Sequence, residues 1–105
     1  MSSPDYKRVI AAFARDPRVS VGEGKGFGSG GLKVDGKLFS MMSSRGQFVA
    51  KLPKQRVSEL IAQGRGEAFD PGHGRLMREW VEMHGGEGEW VKLAREARRF
   101  VGGDA

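Results

Sequence analysis

The chain has 105 residues, of which 38% are apolar and 30% charged, and its formal net charge at neutral pH is +5. This composition supports one domain with a modest core and argues against global disorder. The chain contains no cysteine, which excludes disulfides, thiolate metal sites and cysteine nucleophiles. Its longest apolar runs are far shorter than the roughly 18 residues of a membrane-spanning helix, so no membrane association is expected.

The positive charge is unevenly distributed along the sequence. Residues 1–52 carry nine Lys/Arg against four Asp/Glu, whereas residues 53–105 carry nine of each. A basic surface of this kind is compatible with nucleic acid or another polyanion. The N-terminal residues MSSPDYKR become polar too early for a signal peptide, and we therefore expect a cytoplasmic protein.

A first helix is predicted at the N-terminus. Ser3 can cap it, and Pro4 suits its first turn. Apolar residues then recur at i, i+3, i+4 and i+7 and form one face, namely Tyr6, Val9, Ile10 and Phe13. Asp16-Pro17 ends the helix, because the residue before a proline is disfavoured in helical conformation.

Strand signals follow the first helix. Val19–Val21 is predicted as a short strand, and a glycine-rich loop runs from residue 22 to residue 31. Two apolar runs, residues 32–34 and 37–42, flank Asp35-Gly36, and this dipeptide between strand-like residues is a strong hairpin signal. Residues 47–52 complete a three-stranded meander.

The second half alternates helix, strand and helix. Pro53 opens a helix whose predicted buried stripe is Val57, Leu60 and Ile61, and Gly64 ends it. A turn-rich corner at residues 70–74 then leads to residues 76–83, which fit a helix stripe or a strand face. We favour a strand because eight residues are short for a helix and turns flank both ends.

The final helix is predicted to end at Gly102-Gly103. Its apolar residues recur at helical spacing, namely Trp90, Leu93, Ala94, Ala97, Phe100 and Val101. The whole pattern predicts an α+β fold with an antiparallel sheet, a three-stranded meander plus additional strands, and helices packed on one side. No linker divides the chain, so residues 1–105 are expected to form a single domain.

Three segments resemble the MmcQ/YjbR-like family and the related N-terminal domain of TfoX regulators. They are GLKVDGKLFSMM, FVAKLPKQRVSELIAQGRGEAFDPGHGRLMREWVEM and WVKLAREARRFV, and they lie within residues 26–101. The anchors of the resemblance are turn and packing residues, such as Asp35-Gly36 and Trp80, and none is a catalytic motif. The resemblance implies a compact α+β fold and a DNA-binding role.

Sites for cofactors, metals and catalysis are weakly signalled. Gly26, Gly28 and Gly31 match a dinucleotide-binding spacing, but a hairpin strand follows where a helix is needed. The two histidines, His73 and His84, lack metal-ligand spacing. Asp70 with His73 is the one polar couple beside a rigid turn. We therefore expect no cofactor, no metal and no enzymatic activity.

The basic residues carry the functional prediction. Lys33, Lys37, Arg45 and Lys51 lie on or beside the predicted hairpins, and Arg75 and Arg78 form a second cluster. Lys33 and Lys51 alternate with apolar residues, which predicts that they point to the sheet face away from the helices. Such cations neutralise phosphates without reading sequence, and we expect non-specific DNA binding.

Two alternatives from other functional classes stay open. The first is a homodimer or protein–protein interaction module, for which an open sheet edge is the sequence support. The second is a small-molecule site near Asp70 and His73. The same lysines can also be explained without a binding function, because lysines on exposed edge strands protect a sheet against aggregation.

Overall fold

The computed structural model describes residues 4–22, 31–43, 45–70 and 77–103. Three helices lie at Pro4–Ala12 (α1), Lys54–Ala62 (α2) and Trp90–Gly102 (α3), and a short 3-10 turn at Glu87–Glu89 precedes α3. Six strands lie at Val19–Val21 (β1), Leu32–Val34 (β2), Lys37–Met42 (β3), Phe48–Lys51 (β4), Gly66–Phe69 (β5) and Met77–Met83 (β6).

The strands form one antiparallel sheet in the order β1-β2-β3-β4-β6-β5, and the three helices pack on one of its faces. The predicted α+β fold is confirmed. Asp35 and Gly36 both have positive φ, 52° and 80°, as a two-residue hairpin turn requires. Within the described residues, no helix has the length and apolar character to cross a membrane.

The main core lies between the sheet and the helices. Helix α3 crosses the middle of the sheet and packs on β2, β3 and β4, while α2 packs on β5 and β6. At the centre, the Phe48 ring stacks on Trp90 with their centroids 5.3 Å apart. The Trp90 indole N–H donates to the carbonyl of Gly85, which satisfies the buried polar end of the side chain.

A bulge in β3 directs two consecutive side chains into this core. The β2–β3 register shifts between Leu32 and Lys33, so that strict alternation fails at this point of β3. Phe39 packs edge-on against Phe13, with centroids 5.4 Å apart, and the Ser40 hydroxyl bonds the Tyr6 hydroxyl at 3.2 Å. The bulge thereby fixes α1 to the sheet through both residues.

A second, smaller apolar cluster lies on the sheet face away from the helices. It consists of Met41, Val49, Phe69 and Trp80, with Leu38 packed against it. Trp80 and Trp90 are both buried, as predicted, but they anchor opposite faces of the sheet.

Three sequence predictions need correction. Ile61 is predicted to be buried but is 42% exposed, at the C-terminal end of α2. Strand β5 was not predicted, because Gly66-Glu67-Ala68 lacks strand-forming residues and its order comes from pairing with β6. Helix α1 ends at Ala12, earlier than expected, and continues in turns closed by bonds such as Phe13 N–H to Ile10 C=O.

The close approach of β5 to β6 at Gly66 makes this glycine a sensitive position. A Cβ there would lie 2.7 Å from the backbone oxygen of Glu82, so the paired strands would have to separate. We expect Gly66→Ala to lower the free energy of unfolding by about 1–3 kcal/mol, measured by urea denaturation. Gly88→Ala is the control, because a Cβ at Gly88 meets nothing within 4 Å. Equal stability of the two variants would contradict the prediction.

Candidate nucleic-acid interface

The lysines predicted to face away from the helices lie on the strands as expected. Lys51 is paired with Trp80 across β4 and β6, and its ammonium nitrogen lies 5.8 Å from the centroid of the indole ring. Lys33 is paired with Leu38, a member of the cluster on that face. Lys37 is exposed at the start of β3. These three cations are therefore accessible, but they are spread over three strands.

Arg45 occupies a different position, because it is bound to a buried carboxylate. Its Nε donates to Glu82 Oε2 at 3.1 Å, and its terminal nitrogen donates to Glu82 Oε1. Glu82 is only 3% exposed, whereas the Arg45 side chain is 56% exposed. The hydroxyl oxygen of Ser43 accepts hydrogen bonds from the backbone N–H groups of Arg45 and Gln47. The ion pair thus fastens the β3–β4 turn to β6.

The charge of Glu82 is maintained by its partners. Burial raises the pKa of this carboxyl, but hydrogen bonds from Arg45 and Ser43 outweigh burial, and the net pKa lies below the usual value. The same contact with Glu82 raises the pKa of Arg45. Both groups are therefore ionised at neutral pH, and Arg45 already has an anionic partner.

Other acidic residues share this region of the sheet. Glu67 lies opposite Glu82 across β5 and β6, and its carboxylate is 3.4 Å from the Nε2 of His84. The contact with Glu82 raises the pKa of Arg45 most, and the charges of Glu67 and Asp70 contribute to the same shift. The sheet surface that the sequence predicts to be basic is therefore mixed in charge.

The second predicted cluster is described only in part. Arg78 is exposed on β6, and Asp70 is half-buried just after β5. His73 and Arg75 lie outside the described residues, as do Ser3, most of the glycine-rich loop and the glycines of the 70–74 corner. The Asp70–His73 couple is therefore not tested.

The segments that contain α1 and α3 are rich in basic residues. Helices α1 and α3 pack against each other. Residues 4–18 and 90–103 together carry eight Lys/Arg against three Asp/Glu, a net charge of +5, which equals the net charge of the whole chain. The two ends of the sequence thus bring the charge excess into one layer. The eight cations are Lys7, Arg8, Arg15, Arg18, Lys92, Arg95, Arg98 and Arg99.

Helix α3 presents a row of exposed cations on its outer side. Lys92, Arg95 and Arg99 recur at i, i+3 and i+7 and border a shallow depression of about 510 Å³. Lys92 and Arg95 make no ion pair with any residue in the described part of the chain. The neighbouring Glu96 is bound instead by Arg56 of α2, with Nε 2.9 Å from Oε1.

Two further exposed cations lie in α1 and in the turn after it. Arg8 lies one turn before Ala12, and Ala12 lines a groove between the first and last helices. Arg15 follows in the turn after α1 and is also exposed. We define the helical basic face as Arg8, Arg15, Lys92, Arg95 and Arg99.

The groove between the first and last helices has a volume of about 310 Å³. Among the described residues, its charged lining consists of Asp16, Arg95, Arg98 and Arg99, and Ala12, Phe13 and Gly103 also line it. Arg98 Nε donates to Asp16 Oδ2 at 2.9 Å, and a terminal nitrogen donates to the Gly103 carbonyl at 2.7 Å. The bond from Arg98 lowers the pKa of Asp16, so this carboxylate stays ionised.

A neighbouring ion pair fixes the end of α3 beside the groove. Arg18 donates Nε to Asp35 Oδ1 at 3.0 Å and a terminal nitrogen to the Gly102 carbonyl at 2.6 Å. Its backbone N–H donates to Asp16 Oδ1 at 3.0 Å. The C-terminus of α3, the β2–β3 hairpin and the turn after α1 are therefore held together by polar contacts.

Sequence reasoning missed the helical basic face although part of its signal is present. The i, i+3, i+7 spacing of Lys92, Arg95 and Arg99 predicts one exposed row. The net charge of the second half of the sequence does not reveal this row, because acidic residues elsewhere in that half cancel its positive charge. Only the packing of α1 on α3 unites the two basic segments.

Among the described residues, no group of three His, Cys, Asp or Glu side chains is arranged to hold a metal ion. Comparison of the chain with family models, curated proteins and solved structures gave no match in any of the three. The resemblance to the MmcQ/YjbR-like family therefore stays a prediction, and function has to be argued from the surface of the chain itself.

Proposed function

We propose that this protein binds the phosphate backbone of DNA non-specifically through the helical basic face. The observation that carries the proposal is the packing of α1 on α3, which collects a charge of +5 in one layer. A cluster of cations releases condensed counterions when it meets a polyanion, and this release drives binding without sequence readout.

The composition of the face suits contact with the phosphate backbone. Its members are long Lys and Arg side chains, which neutralise phosphates. Like charges one helical turn apart, such as Arg95 and Arg99, cost the isolated helix about 0.2–0.5 kcal/mol per pair. The row of cations on α3 therefore does not stabilise the helix, and a role in binding a polyanion would explain it.

The proposal moves the DNA contact from the sheet to the helices. On the sheet, Arg45 is paired with Glu82, and Glu67 and Asp70 lie close by. A phosphate approaching this surface would meet carboxylates as well as lysines. We propose a binding protein and not an enzyme; polar pairs such as Arg45–Glu82 and Asp16–Arg98 bridge neighbouring elements of the fold.

The test measures binding to a mixed-sequence DNA duplex by fluorescence anisotropy over a range of salt concentrations. Five phosphate contacts predict a slope of log K against log salt of about −4.5. In the triple variant Lys92→Gln, Arg95→Gln, Arg99→Gln, three contacts are lost, so the slope should weaken by about 2.7 and affinity should fall at every salt concentration.

A matched control shows whether the loss of binding depends on where the three charges lie or only on the total charge of the chain. The triple variant Lys33→Gln, Lys37→Gln, Lys51→Gln removes the same charge from the sheet and should retain most of the wild-type slope. A greater loss in the sheet variant would overturn the proposal in favour of the sheet surface. Absence of duplex binding by the wild-type chain at low salt would overturn DNA binding itself.

A further inference from the structure

We propose that the groove between the first and last helices is a phosphate subsite whose resting occupant is the Asp16 carboxylate. The inference deepens the proposed function and rests on it for the identity of the polyanion, a nucleic-acid strand. It adds Arg98 to the cations available to phosphate and gives Asp16 the role of an internal competitor.

The first argument is the convergence of guanidinium groups. Arg95, Arg98 and Arg99 all line one groove of about 310 Å³, and among the residues that the structure describes Asp16 is the single acidic one in its lining. Guanidinium groups bind carboxylate and phosphate oxygens through the same planar pair of N–H donors. A groove in which Arg98 holds a carboxylate, with Arg95 and Arg99 also in its lining, is therefore also suited to a phosphate group.

The second argument is the geometry of the Asp16–Arg98 contact. Oδ2 of Asp16 accepts from Arg98 Nε, at 2.9 Å, while Oδ1 accepts the backbone N–H of Arg18 at 3.0 Å. The Arg98 and Asp16 side chains are 15% and 22% exposed, so an incoming ligand can reach the pair. Exchange of the carboxylate for a phosphate would leave the Oδ1 contact, and with it the turn, intact.

The third argument is continuity with the helical basic face. Arg95 and Arg99 border both the outer depression of α3 and the groove. A strand whose phosphates lie along the outer row can therefore place the next phosphate in the groove, where Arg98 lies. Release of Arg98 from Asp16 would supply one additional contact to the same strand.

The test compares Asp16→Asn with Glu59→Gln, which removes one negative charge from an exposed ion pair on α2. Asn keeps an oxygen for the Arg18 N–H but no longer holds Arg98 by charge. On DNA, the Asp16 carboxylate of the wild-type chain keeps Arg98 occupied, so that the five residues of the helical basic face set the wild-type slope. We therefore expect Asp16→Asn, which frees Arg98, to bind the DNA duplex about threefold more tightly and to steepen the salt slope by about 0.9, the value of one added contact. Glu59→Gln should leave the slope unchanged.

The outcomes distinguish this inference from the proposed function. If both variants bind DNA with the wild-type slope, the subsite is refuted while binding by the helical basic face stands. Adding Arg98→Gln to Asp16→Asn should abolish the gain, and a gain that persists would also refute the subsite. Loss of binding in the triple variant on α3 tests the face and does not depend on Asp16.

A second measurement on the wild-type chain covers the case in which Asp16→Asn does not fold. Titration with inorganic phosphate, followed by NMR of the arginine Nε–H groups, should shift the Arg98 signal with saturation. The Arg56 signal should stay in place, because Arg56 is bound to Glu96 outside the groove. An Arg98 signal that moves no more than that of Arg56 would overturn the proposal.

Discussion

Replacement of Arg45 by methionine should destabilise the fold strongly at neutral pH. The change removes the charged partner of Glu82 but keeps an unbranched side chain as long as the apolar part of arginine. Glu82 would then be a buried carboxylate with only the Ser43 hydroxyl as a hydrogen-bond donor among its named partners. Because the buried charge of Glu82 would have no cationic partner, the free energy of unfolding should fall by about 2–3 kcal/mol, measured by urea denaturation.

The double variant Arg45→Met, Glu82→Gln is the control for this effect. It removes the stranded charge, so most of the lost stability should return even though the ion pair is absent. Equal instability of the single and double variants would show that the loss comes from packing of the turn and not from the charge of Glu82.

The pH dependence of stability provides an independent check on Glu82. In the wild-type chain its folded pKa is lowered, so its contribution is present above the unfolded value of about 4.3 and is lost as pH falls through the folded pKa. In Arg45→Met, burial acts without the guanidinium and raises the pKa. The difference in free energy of unfolding between the wild-type chain and Arg45→Met should therefore become smaller as pH falls and Glu82 takes up a proton. A deficit independent of pH would contradict this account.

Truncation of Phe48 should produce the largest loss of stability that we expect from one core residue. Phe48 is fully buried on β4, stacks on Trp90 and lies 6.2 Å from the Tyr6 ring centroid, so it joins the sheet to both α1 and α3. Phe48→Ala should lower the free energy of unfolding by about 3–5 kcal/mol, through lost burial and the cavity that remains. The total free energy of unfolding of a small domain is only about 5–15 kcal/mol.

Phe100→Ala is the matched control, because it removes the same atoms from a side chain that is 39% exposed. Its cost should be about 1 kcal/mol or less, since solvent already covers much of the ring. Thermal and urea unfolding of both variants would test the contrast. A loss of similar size at Phe100 would mean that this ring is covered in solution, as in the homodimer that the sequence leaves open.

Local signals in the sequence specified most of the secondary structure. The Asp35-Gly36 hairpin was predictable because only a few residue types accept positive φ at both turn positions. The assignment of residues 76–83 to a strand depended on length and flanking turns, and β6 confirms it for residues 77–83. Strand β5 could not be predicted, because its residues form a strand only when β6 is beside them.

The sequence by itself determined the α+β class, the hairpin, the three helices and the excess of positive charge. Tertiary structure alone decided where that charge acts. Arg45 and Glu82 are 37 residues apart, and their pairing follows from the placement of β6 beside β4. Residues 4–18 and 90–103 form one basic layer because α1 and α3 both bury their apolar faces on the same side of the sheet. Apolar periodicity predicts each helix separately, but which helices become neighbours depends on contacts between residues distant in sequence.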